Sequence, residues 1–244
     1  MRIERETNIG SVRLTNQDSC DCGIFSENSV WGIVCDGMGG ANAGNVASKM
    51  AMEKIKAFMI TNYYEGMSDG NIKAMLLNAI SRANTVVYEA SHSNDEYFGM
   101  GTTAVVVIAE GSKVHVAHVG DSRAYLMNKE GLTRLTTDHS FVQNLIDFGQ
   151  ITETEARVHP KRNVITRAVG VHHTVEADYT EADFNKGDTV VACTDGLTGY
   201  MADETLGEYI SKYSGKTLTE KLIRYAVDAG GADNITVITV SNDD

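Results

Sequence analysis

Apolar residues recur at helical spacing in two long segments of the first half of the chain. From Asn42 to Phe58 they fall on one face of a helix, and from Asn71 to Ala90 the same spacing returns. Two further helices are predicted near the C-terminus, from Asp203 to Ser211 and from Leu218 to Ala229. The sequence therefore predicts helices in pairs, separated by groups of strands.

Outside the helices, the pattern changes to the short apolar and β-branched runs that are typical of strands. Turn-like sequences separate these runs, and the clearest are Glu110-Gly111-Ser112 and Asn128-Lys129-Glu130-Gly131. Connections this short require antiparallel pairing, so residues 102–136 are expected to form an antiparallel meander. The predicted strands are 29–35, 102–109, 113–119, 123–127, 132–136, 175–179, 189–194 and 235–240.

Strands that are apolar along their whole length must be covered on both faces. Two antiparallel sheets packed together, with a helix pair on each outer face, satisfy this requirement, so we expect an α+β fold with four layers, an α-β-β-α sandwich. The chain has one proline, Pro160, and no linker-like or repeated segment. Residues 1–244 are therefore expected to form a single domain.

Composition narrows the possible functions. The chain has 244 residues, of which 42% are hydrophobic, and a formal net charge of -12. Such an acidic protein is unsuited to nucleic acid or to an anionic membrane surface, which basic residues bind. No apolar run is long enough for a signal peptide or a membrane span. The four cysteines are interpreted as reduced thiols, and Cys20-x-Cys22 is expected in a loop. We expect a cytoplasmic protein.

Five aspartates stand at the ends of predicted elements. A carboxylate at a strand end is held rigidly, and a glycine after it lets the backbone turn and bring its carbonyl close to a cation. For a single Asp-Gly pair an ordinary turn is the simpler interpretation. Repetition favours a shared site, because converging carboxylates repel one another unless cations bind there. The five are Asp18, Asp36, Asp121, Asp195 and Asp233, with Gly37 directly after Asp36.

The ligand type indicates the metal. Aspartate and carbonyl oxygens are hard ligands, which suit Mg²⁺ or Mn²⁺ rather than zinc or copper. The seven histidines show no metal-ligand spacing, and His115 and His118 are interpreted as hydrogen-bonded structural residues. The sequence therefore predicts a site for Mn²⁺ or Mg²⁺.

Other phosphate chemistries would leave signatures that this chain lacks. A covalent cysteine phosphatase needs Cys, five residues and then Arg, and no cysteine here has Arg at that distance. Gly215-Lys216-Thr217 is similar to the end of a nucleotide-binding loop, but Ile210 stands where the first glycine of that loop would be. Gly37-x-Gly39 lacks the third glycine of a dinucleotide fingerprint.

Taken in order, the motifs of this chain resemble those of the metal-dependent protein phosphatases of type 2C, the PPM family, and especially its compact bacterial members. The resemblance spans nearly the whole chain, and several ordered motifs are more specific than any one of them. The motifs are Arg13-Leu14-Thr15-Asn16-Gln17-Asp18, Val34-Cys35-Asp36-Gly37-Met38-Gly39-Gly40, Gly101-Thr102-Thr103, Gly120-Asp121-Ser122-Arg123, Asp138-His139-Ser140, Thr194-Asp195-Gly196 and Asp233-Asn234-Ile235-Thr236.

The resemblance implies a metal-binding role for five of these residues. Asp36 would bridge two metal ions, and the carbonyl of Gly37 would bind one of them. Asp195 and Asp233 would bind the other ion. Asp121 and Asp195 match the place where bacterial members can hold a weaker third ion.

The resemblance also implies a reaction. Arg13 would grip the substrate phosphate through its planar fork, and Asp18 would steady the metal-bound water. Hydroxide bridging the ions would attack phosphorus directly, with no phosphoenzyme. The substrates would be phosphoserine and phosphothreonine proteins, including a Ser/Thr kinase and its targets. The alternative is a catalytically weak regulator of the same fold that binds phosphoproteins.

Two segments need separate mention. Many bacterial relatives have His directly after Asp-Gly-Met-Gly-Gly and eukaryotic ones have it directly after Asp-Gly, but here these positions are Ala41 and Met38. The usual proton donor to the leaving alkoxide is therefore absent at both positions. Either water or another group supplies the proton, or turnover is slow on substrates with poor leaving groups. Residues 141–170 resemble the family's mobile flap and include a capping box from Thr152 to Glu155. An ordinary surface excursion is the alternative.

Overall fold

The chain folds into two antiparallel β-sheets with helices outside them. The structure is a computed structural model, and it describes residues 1–40 and 43–243. The strands are β1 (Arg2–Asn8), β2 (Asp18–Ser26), β3 (Ser29–Met38), β4 (Gly101–Thr102), β5 (Ala104–Glu110), β6 (Lys113–Val119), β7 (Arg123–Asn128), β8 (Gly131–Arg134), β9 (Asp178–Asp183), β10 (Thr189–Cys193) and β11 (Ile235–Ser241). The helices are α1 (Ala43–Asn62), α2 (Asp69–Ser93), α3 (Phe141–Asp147), α4 (Glu153–Arg157), α5 (Asp195–Thr198), α6 (Asp203–Lys212) and α7 (Gly215–Asp228).

Three apolar cores separate four layers, as the α-β-β-α prediction requires. One sheet has the order β1-β11-β10-β7-β8, and the other has the order β2-β3-β5-β6-β9, with β4 paired to β3. One core lies between α1, α2 and the second sheet, and a second core lies between the two sheets. The third core lies between the first sheet and the C-terminal helices. The predicted fold class is confirmed.

Helix α2 illustrates why the long helices form where the apolar spacing predicted them. Its buried residues include Ile72, Leu76 and Ile80, which return to one face every four residues. The hydroxyl of Ser68 accepts a hydrogen bond from the N–H of Asn71 at 3.3 Å and so caps the first turn. The predicted start of α1 at Asn42 lies outside the described residues.

The predicted meander is wrong in one respect. Both of its hairpins exist, since β5 pairs with β6 and β7 pairs with β8. They belong to different sheets, however, because the chain crosses from one sheet to the other between β6 and β7. Gly120 lies at this crossing with a φ of 106°, which glycine adopts without strain.

The strand bounds needed three corrections. The predicted run 102–109 is interrupted after Thr102, where β4 pairs with β3 before β5 begins. The predicted strand 175–179 lies too early, because pairing with β6 places β9 at Asp178–Asp183. Cys20 and Cys22 lie in β2 rather than in a loop.

Sequence patterns also missed four elements, namely β1, β2, α3 and α5. Strand β1 carries charged residues at Arg2, Glu4 and Glu6, as an edge strand often does, and so lacks an apolar signature. Helices α3 and α5 are short, with 7 and 4 residues, and show little periodicity. Over the described part of the chain, none of the helices combines the length and the apolar character that a membrane crossing needs.

Candidate metal centre

Strands of both sheets bring the five predicted aspartates to one edge of the sandwich. Asp18 and Asp36 are paired across β2 and β3. Asp195 begins α5 directly after β10, Asp233 precedes β11, and Asp121 follows β6. The carboxyl group of Asp36 interacts electrostatically with the other four. We call these five aspartates the carboxylate rim.

Asp36 is fixed through its backbone. Its N–H donates to the hydroxyl of Thr103 at 2.9 Å, and its carbonyl accepts from the hydroxyl of Thr102 at 2.8 Å and from the N–H of Thr103 at 2.8 Å. In the sequence, these two threonines are visible only as part of the motif Gly101-Thr102-Thr103. They hold the half-buried Asp36 side chain toward the rim without using its carboxylate oxygens.

Gly37 differs from its prediction. The prediction placed a sharp turn there, but Asp36 and Gly37 both lie within β3, which continues to Met38. Gly37 is required for another reason: a Cβ at this position would collide with the carbonyl oxygen of Gly44 in α1. The glycine therefore allows the start of α1 to pack directly against the strand beside the rim.

Asp18 is a buried carboxylate with one free oxygen. Its Oδ2 accepts hydrogen bonds from the hydroxyls of Thr194 at 3.0 Å and Thr236 at 2.7 Å. Its Oδ1 is buried and has no partner among the described residues. Burial raises the pKa of Asp18 to about 7, although the two threonine hydrogen bonds oppose that rise. Thr194 and Thr236 were not predicted as site residues.

Asp36 and Asp195 repel each other at close range. Burial and then the charges of Asp18 and Asp195 raise the pKa of Asp36 well above its ordinary value. Burial and the charge of Asp233 raise the pKa of Asp195, against a hydrogen bond with Asp36 that lowers it. Oδ1 of Asp195 is also buried without a partner in the part of the chain that the structure describes.

Asp121 belongs to the same electrostatic group. Burial and then the charge of Asp195 raise its pKa to about 8. The turn that carries it is held by Gly120, whose N–H donates to Nδ1 of His139 at 3.0 Å, and by Ser122, whose hydroxyl lies 2.7 Å from that of Thr103. Asp121 therefore reaches the rim from the crossing between the two sheets.

Arg13 lies at the mouth of the rim. Its Nη2 donates to Oδ2 of Asp233 at 2.8 Å, and the two side chains are 49% and 35% exposed. The hydrogen bond to Asp233 raises the pKa of Arg13, so the guanidinium is charged. An exposed cation beside clustered carboxylates can receive an anionic group from solvent.

Asn234 holds together the two loops that carry Arg13 and Asp233. Its amide nitrogen donates to the carbonyls of Ile9 at 2.9 Å and Thr15 at 3.1 Å, and its side-chain oxygen accepts from the N–H of Gln17 at 2.8 Å. In the sequence, Asn234 is visible only as part of the motif Asp233-Asn234-Ile235-Thr236.

The rim fits divalent cations. Its donors are hard carboxylate oxygens, two of them are buried without a partner among the residues described, and the raised pKa values show that negative charge there lacks compensation. A cation would supply both the missing partners and the missing charge.

A second group of metal-type ligands has a different character. His118, His139 and Asp178 are the one such set, within the described ranges, whose ligating atoms all lie within 4.8 Å of each other. Nη1 of Arg167 lies 2.9 Å from Nε2 of His139 and 2.7 Å from Oδ1 of Asp178, so a guanidinium already occupies this space. The group is an ion-paired cluster rather than a cation site.

The two histidines predicted to be structural are hydrogen-bonded and buried. Nδ1 of His115 lies 2.8 Å from the hydroxyl of Tyr179, and Nε2 of His118 donates to the carbonyl of Thr137 at 2.9 Å. Burial lowers the pKa of both, so both are neutral near pH 7. This interpretation is confirmed.

Residues 141–170 lie beside the rim. They contain α3 and α4, and α4 begins with the predicted capping box between Thr152 and Glu155. A cavity of about 180 Å³ separates this segment from the rim, with Asp121 and Asp195 on one wall and Arg157 and Arg162 on the other.

Two positions matter because of what they lack. Met38 ends β3 and is half-buried, and it offers no proton. Ala41 lies outside the described residues.

All four cysteines are free, and burial raises the pKa of each, to about 11 for Cys20 and about 12 for Cys193. None of them is therefore a thiolate nucleophile near neutral pH.

Fold and site together define a class. Carboxylates with unpaired oxygens lie at the edge of an α-β-β-α sandwich, next to an exposed arginine. This arrangement is the site of a metal-dependent hydrolase of phosphate esters.

Comparisons with known proteins agree. The family model described as Protein phosphatase 2C matches residues 10–228. The serine/threonine phosphatase stp of Listeria monocytogenes serotype 4b (strain F2365) is 40% identical over 249 residues, covering 100% of this chain and 96% of that protein. The chain belongs to the protein phosphatase 2C family, which is metal-dependent.

Solved structures show the same fold. The serine/threonine phosphatase Stp1 from Staphylococcus aureus superimposes with a TM-score of 0.92 at 34% identity, covering 98% of this chain and 94% of that one. The catalytic domain of the serine threonine protein phosphatase PstP, solved in complex with 2 manganese ions, gives a TM-score of 0.82 at 31% identity and covers 98% and 96%.

Proposed function

We propose that this chain is a protein phosphatase that hydrolyses phosphoserine and phosphothreonine with two divalent cations, Mn²⁺ or Mg²⁺. One observation carries the proposal: Oδ1 of Asp195 is buried without a partner among the described residues, in a side chain that interacts directly with the carboxyl group of Asp36. Two carboxylates held this close are tolerated when a cation lies between them.

The proposed metal ligands are four aspartates of the rim and the carbonyl of Gly37, and the central place of Asp36 supports the assignment. Asp36 is central, because its carboxyl group interacts with all four other aspartates, and so it is proposed to bridge the two ions. The Gly37 carbonyl would bind one ion, and Asp195 and Asp233 would bind the other. Asp121 and Asp195 would hold a weaker third ion. When bound, the ions would lower the pKa of a water and neutralise charge that develops on the phosphoryl group.

Two residues would act on the substrate and the attacking water. Arg13 has guanidinium N–H groups besides the one bonded to Asp233, and they would bind two phosphate oxygens. Oδ1 of Asp18 is free to accept a hydrogen bond from the attacking water, because both threonine hydroxyls use Oδ2. The water would be aligned for direct attack on phosphorus.

No covalent intermediate is proposed. All four cysteines have raised pKa values, so none of them offers a thiolate near neutral pH. Protonation of the leaving alkoxide is assigned to water or another group, since neither Met38 nor Ala41 can supply a proton.

The biological setting is also part of the proposal. The substrates are phosphoproteins, and we propose that they include a Ser/Thr kinase and its targets. We place the enzyme in the cytoplasm, which suits four free cysteines. Residues 1–244 would form one catalytic domain, with 141–170 as its flap. Two isolated β-bridges support the flap assignment, because Ser140 pairs with Ile165 and Thr102 of β4 pairs with Val169 at the two ends of this segment.

The test is a phosphopeptide assay of the whole chain after treatment with a chelator, with and without added Mn²⁺. We expect phosphate release with Mn²⁺, little without it, and no phosphoprotein in a rapid acid quench. Binding of the phosphopeptide with Mn²⁺ but without hydrolysis would instead establish the regulator. A trapped phosphoenzyme would contradict direct attack by water.

A further inference from the structure

The backbone of Gly120, just before Asp121, is held by a single residue. The N–H of His139 donates to the carbonyl of Gly120 at 2.9 Å, and the N–H of Gly120 donates to Nδ1 of His139 at 3.0 Å. A backbone N–H can only donate, so Nδ1 must be unprotonated. A neutral His139 therefore carries its proton on Nε2.

The protonated nitrogen faces a second region of the fold. Nε2 of His139 lies 3.2 Å from Oδ2 of Asp178 in β9 and 2.9 Å from Nη1 of Arg167, and Oδ1 of Asp178 accepts from the same Nη1 at 2.7 Å. Nη1 has two hydrogens, and Asp178 and the carbonyl of Glu176 accept both of them, so Nε2 can keep its own proton and donate it to Asp178. Arg167 lies in the flap, residues 141–170, and donates in addition to the carbonyl of Glu176 at 3.1 Å. His139 thus joins the Gly120 turn on one side of its ring to the flap and β9 on the other.

Gly120 depends on this contact because it belongs to neither sheet. Strand β6 ends at Val119 and β7 begins at Arg123, so the turn between them has no ladder partner. Its φ of 106° admits glycine alone without strain, and a Cβ there would press against Thr103. The orientation of Asp121 therefore depends on the hydrogen bonds that other residues make with this turn.

The neighbouring residue supports the same turn from its other end. Arg123 donates to both carboxylate oxygens of Asp138, from Nε to Oδ1 at 2.8 Å and from Nη2 to Oδ2 at 2.6 Å. Asp138 and His139, adjacent in sequence, thus hold the residues on either side of Asp121. Ser140 then caps α3, the first helix of the flap, by accepting from the N–H of Gln143 at 3.2 Å.

We propose that His139 is a positioning residue: its ring fixes the Gly120 turn through Nδ1, which sets the place of Asp121 in the rim, and couples that turn to the flap through Nε2. The inference rests on the proposed function where it concerns metal binding by Asp121. The metal-binding consequence would appear at the weaker third ion, because Asp121 is proposed to bind that ion and not the other two.

Three substitutions separate the two sides of the ring. In His139→Asn the side-chain oxygen can take the position of Nδ1 and accept from Gly120, but Asp178 loses its contact with the ring and keeps Arg167. In His139→Gln the amide reaches the position of Nε2 and Asp178, but Gly120 loses its acceptor. His139→Ala loses both contacts. The matched control is His115→Gln, at a buried histidine of β6 that bonds to Tyr179 and not to the turn.

The first measurements need neither metal nor substrate. Ring nitrogen shifts in the metal-free protein should show the Nε2–H form of His139. Amide exchange at Gly120 should be about tenfold faster in His139→Ala and His139→Gln, the effect of losing one hydrogen bond, and close to wild type in His139→Asn and His115→Gln. Calorimetric titration with Mn²⁺ should show the weakest site losing about 10- to 100-fold in affinity in the same two variants.

Three results would overturn the proposal: an Nδ1–H ring, unchanged Gly120 exchange in His139→Ala, or equal effects of Asn and Gln at this position. If His139→Ala does not fold, the proposal is still tested by the comparison of His139→Asn with His139→Gln and by the tautomer of the wild-type ring. Failure of Mn²⁺-dependent hydrolysis by the wild type would remove the proposed function but would leave the tautomer and exchange results standing.

Discussion

Two polar clusters lie side by side in this molecule: among the described residues, most carboxylates of one lack a basic partner, whereas those of the other form ion pairs. The carboxylate rim gathers five acids, with burial and mutual repulsion raising the pKa of Asp36, Asp121 and Asp195. The neighbouring cluster pairs each acid with a base, Asp138 with Arg123 and Asp178 with Arg167. We call these four residues and His139 the paired network.

Within the paired network, protonation shifts have the reverse sense. Burial alone would raise the pKa of Asp178, but its hydrogen bonds to His139 and Arg167 lower it below the ordinary value. Burial alone would lower the pKa of Arg123, and the hydrogen bonds that it donates to Asp138 raise it instead. The contrast shows that a cluster satisfied within the protein serves to hold positions, whereas an unsatisfied one is available to a ligand.

The largest expected effect comes from removing the centre of the rim. Asp36→Ala should reduce phosphopeptide turnover with Mn²⁺ at least about a thousandfold, which corresponds to roughly 4 kcal/mol, because the carboxylate proposed to bridge both ions is lost. Steady-state kinetics at saturating Mn²⁺ measures this.

The control for that loss is Asp183→Ala, an exposed acid at the far end of β9. Its turnover should equal that of the wild type. Wild-type turnover by Asp36→Ala would remove the rim from the mechanism.

The paired network should respond in stability. Asp138→Ala leaves the half-buried Arg123 without its carboxylate, and breaking such a pair from one side costs about 3–5 kcal/mol of unfolding free energy. Urea unfolding of the metal-free protein measures the loss. In contrast, Asp36→Ala should leave the metal-free protein as stable as the wild type or more so, since it relieves repulsion. A large destabilisation by Asp36→Ala would erase the contrast between the clusters.

Dependence on pH sharpens the comparison further. The folded-state pKa values of Asp18 and Asp121 are about 7 and about 8, above the ordinary 3.8. Folding therefore favours their protonated forms, and this contribution to stability is complete below about pH 4 and is lost as pH rises to about 8. The metal-free protein should therefore become steadily less stable over this window, as urea unfolding at a series of pH values would measure.

The matched experiment adds Mn²⁺ across the same pH series. Bound cations should reverse the slope near neutral pH, because they bind the ionised carboxylates. Asp18→Asn should flatten the metal-free curve. A metal-free protein that grows more stable between pH 5 and pH 8 would contradict the raised pKa values.

The smallest expected effect is a gain. Ala41→His restores a proton donor at a position where many bacterial relatives have one, and turnover of a phosphopeptide should rise by about two- to tenfold. An aryl phosphate is the internal control, since its leaving group needs no proton. Equal changes on both substrates would show that protonation of the leaving group does not limit the wild type.

Much of the fold could be predicted from local patterns. The long helices α1 and α2 and the strand β3 followed from apolar spacing, because burial of one face leaves a clear period. The edge strand β1 and the half-buried β2 left no such period, since charged and small residues fill them. The sequence pattern also predicted β6 and β7 in one sheet, because a three-residue hairpin loop and a three-residue turn that crosses between sheets look alike in sequence.

The candidate site divides in the same way. The five aspartates, Gly37 and Arg13 could be named from their sequence positions and their family resemblance. Thr194 and Thr236 could not, because a hydroxyl that donates to Asp18 across the sandwich leaves no mark in sequence. The proposed role of His139 could not be predicted from the sequence either, because it depends on which residues contact its two ring nitrogens.

By itself, the sequence determined which chemistry is available: hard oxygen ligands, an arginine in the motif that ends at Asp18, and no cysteine-phosphatase signature. Only the tertiary structure decided which acids are left unsatisfied and which are paired. The reason is physical, since an aspartate in a sequence is the same residue everywhere, and its pKa and its partners depend on what the fold places within a few ångströms of it.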